Sequence, residues 1–488
     1  MFNSKSLFAT SLFFGLTTIL FLLIPSLGFA ATTTENHLDL TNHSVGVFAI
    51  VIFVIAYALV MAEEFTHLRK SKPVVLAAGI IWAAIAIVYA QNGITGPAEQ
   101  AVRHNLLEFA ELFLFLLVAM TYINALEERL VFDALKSWLI RKGFSYRALF
   151  WLTGILSFFI SPIADNLTTA LLMCAVLLAV GKDNAKFVGI GCINIVVAAN
   201  AGGAFSPFGD ITTLMVWQKG IVDFQTFFLL FVPSVVNYVI PAAIMHFFIP
   251  NATPEADDEV VILKRGAMPI LVLFLLTIAT AVSFHNFLHL PPVIGMMTGL
   301  GYLKFYGYYL RKTHNRYAIK KDYDPEKAEH MIGDLEPFDV FRKISRAEWD
   351  TLFFFYGVVL CVGGLGFIGY LAMVSEVMYV DWGATNANIA VGFLSAIVDN
   401  IPVMFAVLSM QPDMSLGQWL LVTLTAGVGG SMLSIGSAAG VALMGQAKGK
   451  YTFFGHLKWT PAIMLGYFAS IYTHIWINAD SFNLPANL

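Results

Sequence analysis

The sequence predicts an all-α polytopic membrane protein made of two inverted-topology repeats, each with a re-entrant helical hairpin and a broken transmembrane helix. Three observations predict it. Hydrophobic residues make up 58% of the 488-residue chain and charged ones only 12%, where a soluble domain carries roughly 25% charged. One six-residue stretch is written twice, as Ser161-Pro162-Ile163-Ala164-Asp165-Asn166 and as Ser395-Ala396-Ile397-Val398-Asp399-Asn400. Each copy sets a carboxylate inside an apolar run, and each is followed by a second polar break, at 200–210 and at 427–437. Two halves with such paired interruptions mark a mid-membrane binding site between repeats.

Taken in order, residues 1–30 read as a secretory signal peptide: Lys5, a long apolar run, then Gly28-Phe29-Ala30 before polar Thr32 to Glu35. The alternative is an uncleaved first span. The first repeat is expected over 44–249. It holds apolar spans at 44–62, 73–91 and 104–126, each near the roughly 20 residues that cross a bilayer. An amphipathic stretch follows at 131–142, where Phe132, Leu135, Trp138 and Leu139 suit a helix lying in the interface. Broken segments at 147–181 and 187–217 and an intact span at 226–249 complete the half. The second repeat, 267–477, restates that order with spans at 267–284, 292–310 and 350–371, broken segments at 386–410 and 418–446, and a last span at 459–477. Its loop 311–347 mixes charges of both signs and reads as a solvated cytoplasmic connector. Cys174, Cys192 and Cys361 fall in apolar segments, with no disulfide framework and no metal spacing.

Lysine and arginine positions test the layout. With both hairpins returning to the side they enter from, Arg103 and Lys219 are the only basic residues beyond the leader placed outside, and the other 25 fall inside. This places the first hairpin on the cytoplasmic side, the second on the periplasmic side and the C-terminus in the periplasm. Arm length agrees: Arg147 to Ser161 makes roughly 22 Å of helix, short of a hydrocarbon core of about 30 Å. Pro162 disfavours helix at Ser161, and Asp165 and Asp399 are placed to cap the returning arms.

Carboxylates at mid-membrane cost about 2.5 to 3.5 kcal/mol each on insertion scales, so Asp165, Asp210 and Asp399 are expected to line a wet site. Asn or Ser would cap a helix as well without a charge, which favours an ion or proton role over capping alone. Around them stand uncharged oxygens: Ser161, Asn166, Thr168, Thr169, Ser395 and Asn400 in the hairpins, then Asn200, Ser206, Thr212, Thr213, Ser431, Ser434 and Ser437 in the breaks. Hard cations take ligands of this kind, although many such hydroxyls bond back to their own helix. Glu108 and Glu111 share one face of the third span and are candidates for a proton relay, for facing the headgroups or for a dimer contact.

The twin Asp-Asn tips, with Gly-Gly followed by Ser206-Pro207-Phe208-Gly209-Asp210 and by Ser434-Ile435-Gly436-Ser437, closely resemble the NhaD family of sodium/proton antiporters from about residue 44 to 477. The resemblance implies the ion transporter superfamily, a homodimer of scaffold and moving transport domains, and a bacterial inner-membrane location. It carries the family's transport residues to Asp165, Asn166, Thr168, Asp210, Thr212, Thr213, Ser395, Asp399, Asn400, Ser434 and Ser437, with a role for the third-span glutamates. It implies exchange of Na+, and also Li+, for H+, with Na+ at Asp165, Asp399, Asn166 and Asn400. No cofactor, nucleic acid or enzymatic activity is expected, and the partner is the lipid bilayer. An arsenite-type permease or sodium-coupled anion symporter of the same superfamily is the nearest alternative. A dicarboxylate carrier would want neutral tips, since Asp165 and Asp399 repel an anion at low dielectric. An intramembrane aspartyl protease needs two membrane aspartates as well, but in a Tyr-Asp and Gly-x-Gly-Asp setting that Ala164-Asp165 and Phe208-Gly209-Asp210 do not supply.

Overall fold

Short polar side chains stand ahead of the apolar runs and start the helices. Ser145 Oγ accepts from Ala148 N, Asn184 Oδ1 from Phe187 N and Asp210 Oδ1 from Thr212 N, each satisfying an amide that the helix itself leaves unpaired. The computed structural model describes residues 38–66, 68–181, 184–253, 260–317 and 336–486. The expected signal peptide at 1–30, and the centre of the 311–347 connector, lie outside the described residues. The chain divides into Met1–Leu38 and Asp39–Leu488, and the helices below belong to the second unit.

In order these are α1 (Ser44–Met61), α2 (Ser71–Gln91), α3 (Pro97–Glu128), α4 (Val131–Arg141), α5 (Tyr146–Ala164), α6 (Asn166–Val180), α7 (Ala185–Gly203) and α8 (Ile211–Gln218). Then come α9 (Phe231–His246), α10 (Ala267–Leu288), α11 (Pro292–Lys312), α12 (Trp349–Ile368), α13 (Ala384–Ile397), α14 (Asn400–Met410), α15 (Leu416–Gly429), α16 (Ala438–Gln446) and α17 (Thr460–Ile477). Eight helical segments among the described residues are long and apolar enough to cross a membrane. The protein is a multi-pass membrane protein, all-helical among the described residues. α7 is buried along nearly all its length from Phe187 onward, as befits the centre of a bundle, whereas α1 and α10 expose much of theirs.

Two sets of helices surround the polar breaks. α2 packs on α1 and α12, α3 on α11 and α12, and α10 on α11; α5, α6 and α7 pack together, α9 on α17, and α13 on α15. The halves also interlock: α16 lies on α6, and α8 lies on α14. Each short helix that follows a break therefore packs on the second arm of the other half's Asp-Asn segment. Small residues allow the crossings. A Cβ on Gly202 would stand 2.2 Å from the Phe158 carbonyl oxygen, and one on Gly429 would stand 2.3 Å from that of Gly392.

One boundary differs from expectation. Instead of ending near Ser161, α5 continues through Pro162 to Ala164. Pro162 sits in the last turn, where a missing N–H removes only one intrahelical bond, and neighbours stabilise the turn: Ser161 Oγ donates to Ala199 O at 2.6 Å, and Ser206 Oγ donates to Pro162 O at 2.8 Å. The third span is also longer than its apolar run, since Pro97 opens it in the first turn and the Glu99–Arg103 pair supports its exposed end.

Candidate ion-binding site

Asp210 is the centre. It ends the break after α7 in an extended conformation (φ −144°, ψ 143°) and caps α8 through Thr212 N at 3.0 Å. The residue is 3% exposed, and its carboxylate receives one amide from each half. Asn166 Nδ2 donates to Oδ2 at 3.0 Å, and Asn400 Nδ2 reaches Oδ2 at 3.0 Å and Oδ1 at 3.2 Å. The duplicated Asn thus converges on a carboxylate that exists only once, because Ser437 holds the matching position in the second half. Ser437 has nearly the same backbone (φ −144°, ψ 151°) and caps α16 through Gly440 N. Charge, not backbone geometry, separates the two positions: a serine caps its helix without a charge.

Asn200, at the end of α7, joins the halves. Its Oδ1 accepts from Asn166 Nδ2 at 3.0 Å, while its Nδ2 donates to Ser431 Oγ at 2.8 Å and to Ser437 Oγ at 3.1 Å. Thr213 Oγ1 donates to the carbonyls of Asp210 and Ser206 and tightens the first turn of α8. Ser161 and Ser395 play matched parts, Ser395 Oγ donating to Ala426 O at 2.7 Å. Three hydroxyl oxygens, those of Thr169, Thr212 and Ser434, are buried without a hydrogen-bond partner among the described residues. Unpaired buried hydroxyls are costly, and that of Thr212 stands beside the Asp210 carboxylate.

The carboxylates of the twin aspartates border this network through Asn166 and Asn400 without bonding to it. Asp165 stands alone between α5 and α6 at φ 58°, ψ 162°, a region that costs a non-glycine residue about 1–3 kcal/mol. Thr168 holds it there, donating its N–H to Oδ1 at 2.8 Å and its hydroxyl to Oδ2 at 2.9 Å. Asp399 does not cap its helix, contrary to expectation: its side chain makes no capping hydrogen bond with α14. The residue three positions on is Pro402, which has neither an N–H nor a hydroxyl to offer.

A cavity of about 430 Å³ joins Asp165, Asn166, Thr168, Asp210 and Asn400 to Lys70, and extends to Glu127, Arg346 and Glu348 at the helix ends. Thr212, Thr213, Ser395, Ser434, Ser437 and Asp399 do not line it. Glu108 and Glu111 stand elsewhere on α3: Glu108 pairs with Lys219, at the end of α8, and with His104 Nε2 at 2.9 Å. One residue of the arrangement, Lys70, is not among the site residues read from the sequence, and the bridging part of two that are, Asn200 and Ser431, is new. Asn200 and Ser431 were visible only as polar atoms in the breaks, and Lys70 only as one of several basic residues in a short loop.

Broken helices interlocked around a buried carboxylate, inside a multi-pass bundle, define a membrane carrier. The family described as citrate transporter matches residues 44–427. A protein named Na(+)/H(+) antiporter NhaD from Alkalimonas amylolytica is 63% identical over 96% of this chain and 97% of its own length. A protein of the same name from Vibrio cholerae is 64% identical over 94% of this chain and 98% of its length. Sodium/proton antiporter 1 of Arabidopsis thaliana is 30% identical over 90% of this chain and 73% of its length. The chain belongs to the NhaD family of Na+/H+ antiporters.

Proposed function

We propose that this protein exchanges Na+, and also Li+, for H+ across the cytoplasmic membrane, with cation and proton competing for the aspartates at the helix breaks. The observation that carries the reading is the convergence of Asn166 and Asn400 on Asp210. Both carboxamides turn their N–H groups to the carboxylate. A half-turn of either carboxamide presents its oxygen instead, so that a dehydrated Na+ meets carboxylate, amide and hydroxyl oxygens. Protonation of the same carboxylate removes the charge that holds the ion. The relatives' printed names support the pair of substrates, and the acidic lining argues against citrate as cargo, since a polyanion would face Asp165 and Asp210 together.

In this reading residues 44–249 and 267–477 are the two inverted repeats. α5–α6 and α13–α14 are re-entrant hairpins from opposite faces, the C-terminus is periplasmic, and the carrier is a homodimer in the inner membrane. Asp165, Asp210 and Asp399 bind the ion or proton, and Asn166, Thr168, Thr212, Thr213, Ser395, Asn400, Ser434 and Ser437 ligate or position it. Glu108 and Glu111 stand as a relay toward the outer surface.

The test of function is fluorescence dequenching in everted vesicles, adding Na+, Li+ or K+ after a proton gradient is established. Dequenching by Na+ and Li+ is expected; its absence with Na+ would overturn the exchange reading. Topology has its own test. The native cysteines are buried, so a thiol introduced as Ala185→Cys should react only with cytoplasmic reagents and one introduced as Asn386→Cys only with periplasmic ones. Labelling of both from one side would end the inverted arrangement.

A further inference from the structure

The duplicated aspartates are held differently, and the difference points to Lys70. Asp165 has both carboxylate oxygens occupied by Thr168 of its own helix. At Asp399 the corresponding helper is Pro402: the amides of Asn400 and Ile401 face the carboxylate, but Oδ1 is buried with no hydrogen-bond partner among the described residues, while Oδ2 faces Lys70 Nζ at 3.9 Å. Both side chains are only about one-sixth exposed, at 16% and 15%. Lys70 immediately precedes α2, its ammonium lies 4.6 Å from the Phe354 ring centroid on α12, and it lines the cavity that holds Asp165 and Asp210. A lysine of this kind is a compact charge on a flexible four-carbon stem, free to leave the carboxylate without disturbing a helix.

Resting on the exchange reading above, we propose that Lys70 is the resident counter-cation of Asp399 and competes with the transported ion for that carboxylate, so that it sets the protein's affinity for Na+. While the ammonium occupies Asp399 the site is closed to Na+, and apparent affinity falls by the fraction of molecules in which the lysine has moved away. The ammonium also keeps Asp399 compensated when no ion is bound, so the empty carrier need not hold a bare buried carboxylate.

The experiment compares wild type with Lys70→Gln, Lys70→Arg and Lys72→Gln in everted vesicles at matched expression. It is run at an alkaline pH where the wild-type KM for Na+ no longer changes with pH. Lys70→Gln should lower the apparent KM for Na+ about tenfold, equivalent to about 1.4 kcal/mol, and Lys70→Arg should stay within about twofold of wild type, since the charge is kept. Lys72, exposed two residues further on, should leave KM unchanged when neutralised. An unchanged or raised KM in Lys70→Gln, with only the maximal rate or the protein level reduced, would make Lys70 a structural tether and overturn the proposal. An equal KM shift in Lys72→Gln would reduce it to a diffuse field effect and overturn it as well. Wild-type vesicles that show no Na+ response sink the exchange reading itself; a Na+-responsive wild type with a wild-type KM in Lys70→Gln sinks only the role of Lys70.

Discussion

Asp210→Asn is expected to abolish Na+/H+ exchange while leaving the protein folded. Asn caps a helix about as well as Asp, so α8 keeps its start, and one amide oxygen can still accept from Asn166 or Asn400. What disappears is the charge. Losing one partner of a buried, hydrogen-bonded charge interaction costs about 2–5 kcal/mol, or a loss of roughly 30-fold and upward at about 1.4 kcal/mol per tenfold. Ser437→Ala, at the matching position of the other half, removes a cap and one acceptor for Asn200. That should cost about 1 kcal/mol and less than about tenfold in activity. Dequenching at matched protein levels distinguishes the two, and equal losses would reduce Asp210 to a helix cap.

Apparent Na+ affinity is expected to weaken about tenfold for each pH unit below the pKa of the binding carboxylate, per competing proton. The sign follows from the chemistry: a protonated carboxylate is not a ligand, so affinity improves as pH rises and levels off once the group is ionised, with the maximal rate changing less. Asp165→Asn and Asp399→Asn should each lose exchange, because neither variant can alternate between charged and protonated forms at that position. KM measured across pH checks the point. A constant KM over the range in which activity itself rises would place proton control at a separate gate and rule out shared carboxylates.

Much of the helical layout was legible because apolar runs announce themselves. The expected span at 73–91 is the helix Ser71–Gln91, and the breaks expected at 200–210 and 427–437 begin a few residues later, between Gly203 and Ile211 and between Gly429 and Ala438. The pairing of Asp and Asn flagged polar residues that the fold does bring near one another, Asn166, Asp210 and Asn400 among them. Their convergence was not legible, since Asn400 reaches Asp210 from 190 residues away, and no local pattern states which amide meets which carboxylate. The asymmetry of the two aspartates was present in the sequence all along, as Thr168 against Pro402. It gains meaning only when the Thr168 hydroxyl and N–H are seen on Asp165. Lys70 gave no signal at all, because a basic residue in a short loop informs topology and says nothing of the carboxylate it will meet.

Asn200 has a mechanical consequence. One side chain stitches Asn166 of the first half to Ser431 and Ser437 of the second, and directional bonds of that kind resist parting. Around this core the contacts are of another kind: Phe115 on α3 lies against Phe208 and Trp217 at ring-centroid distances of 5.3 and 6.4 Å. Ring contacts hold by packing and carry no donor–acceptor pair to be broken when packed helices shift slightly, as in shear motions. The middle of the bundle is thus tied by directional hydrogen bonds and its rim by apolar ring contacts, so the two seams resist displacement by different means.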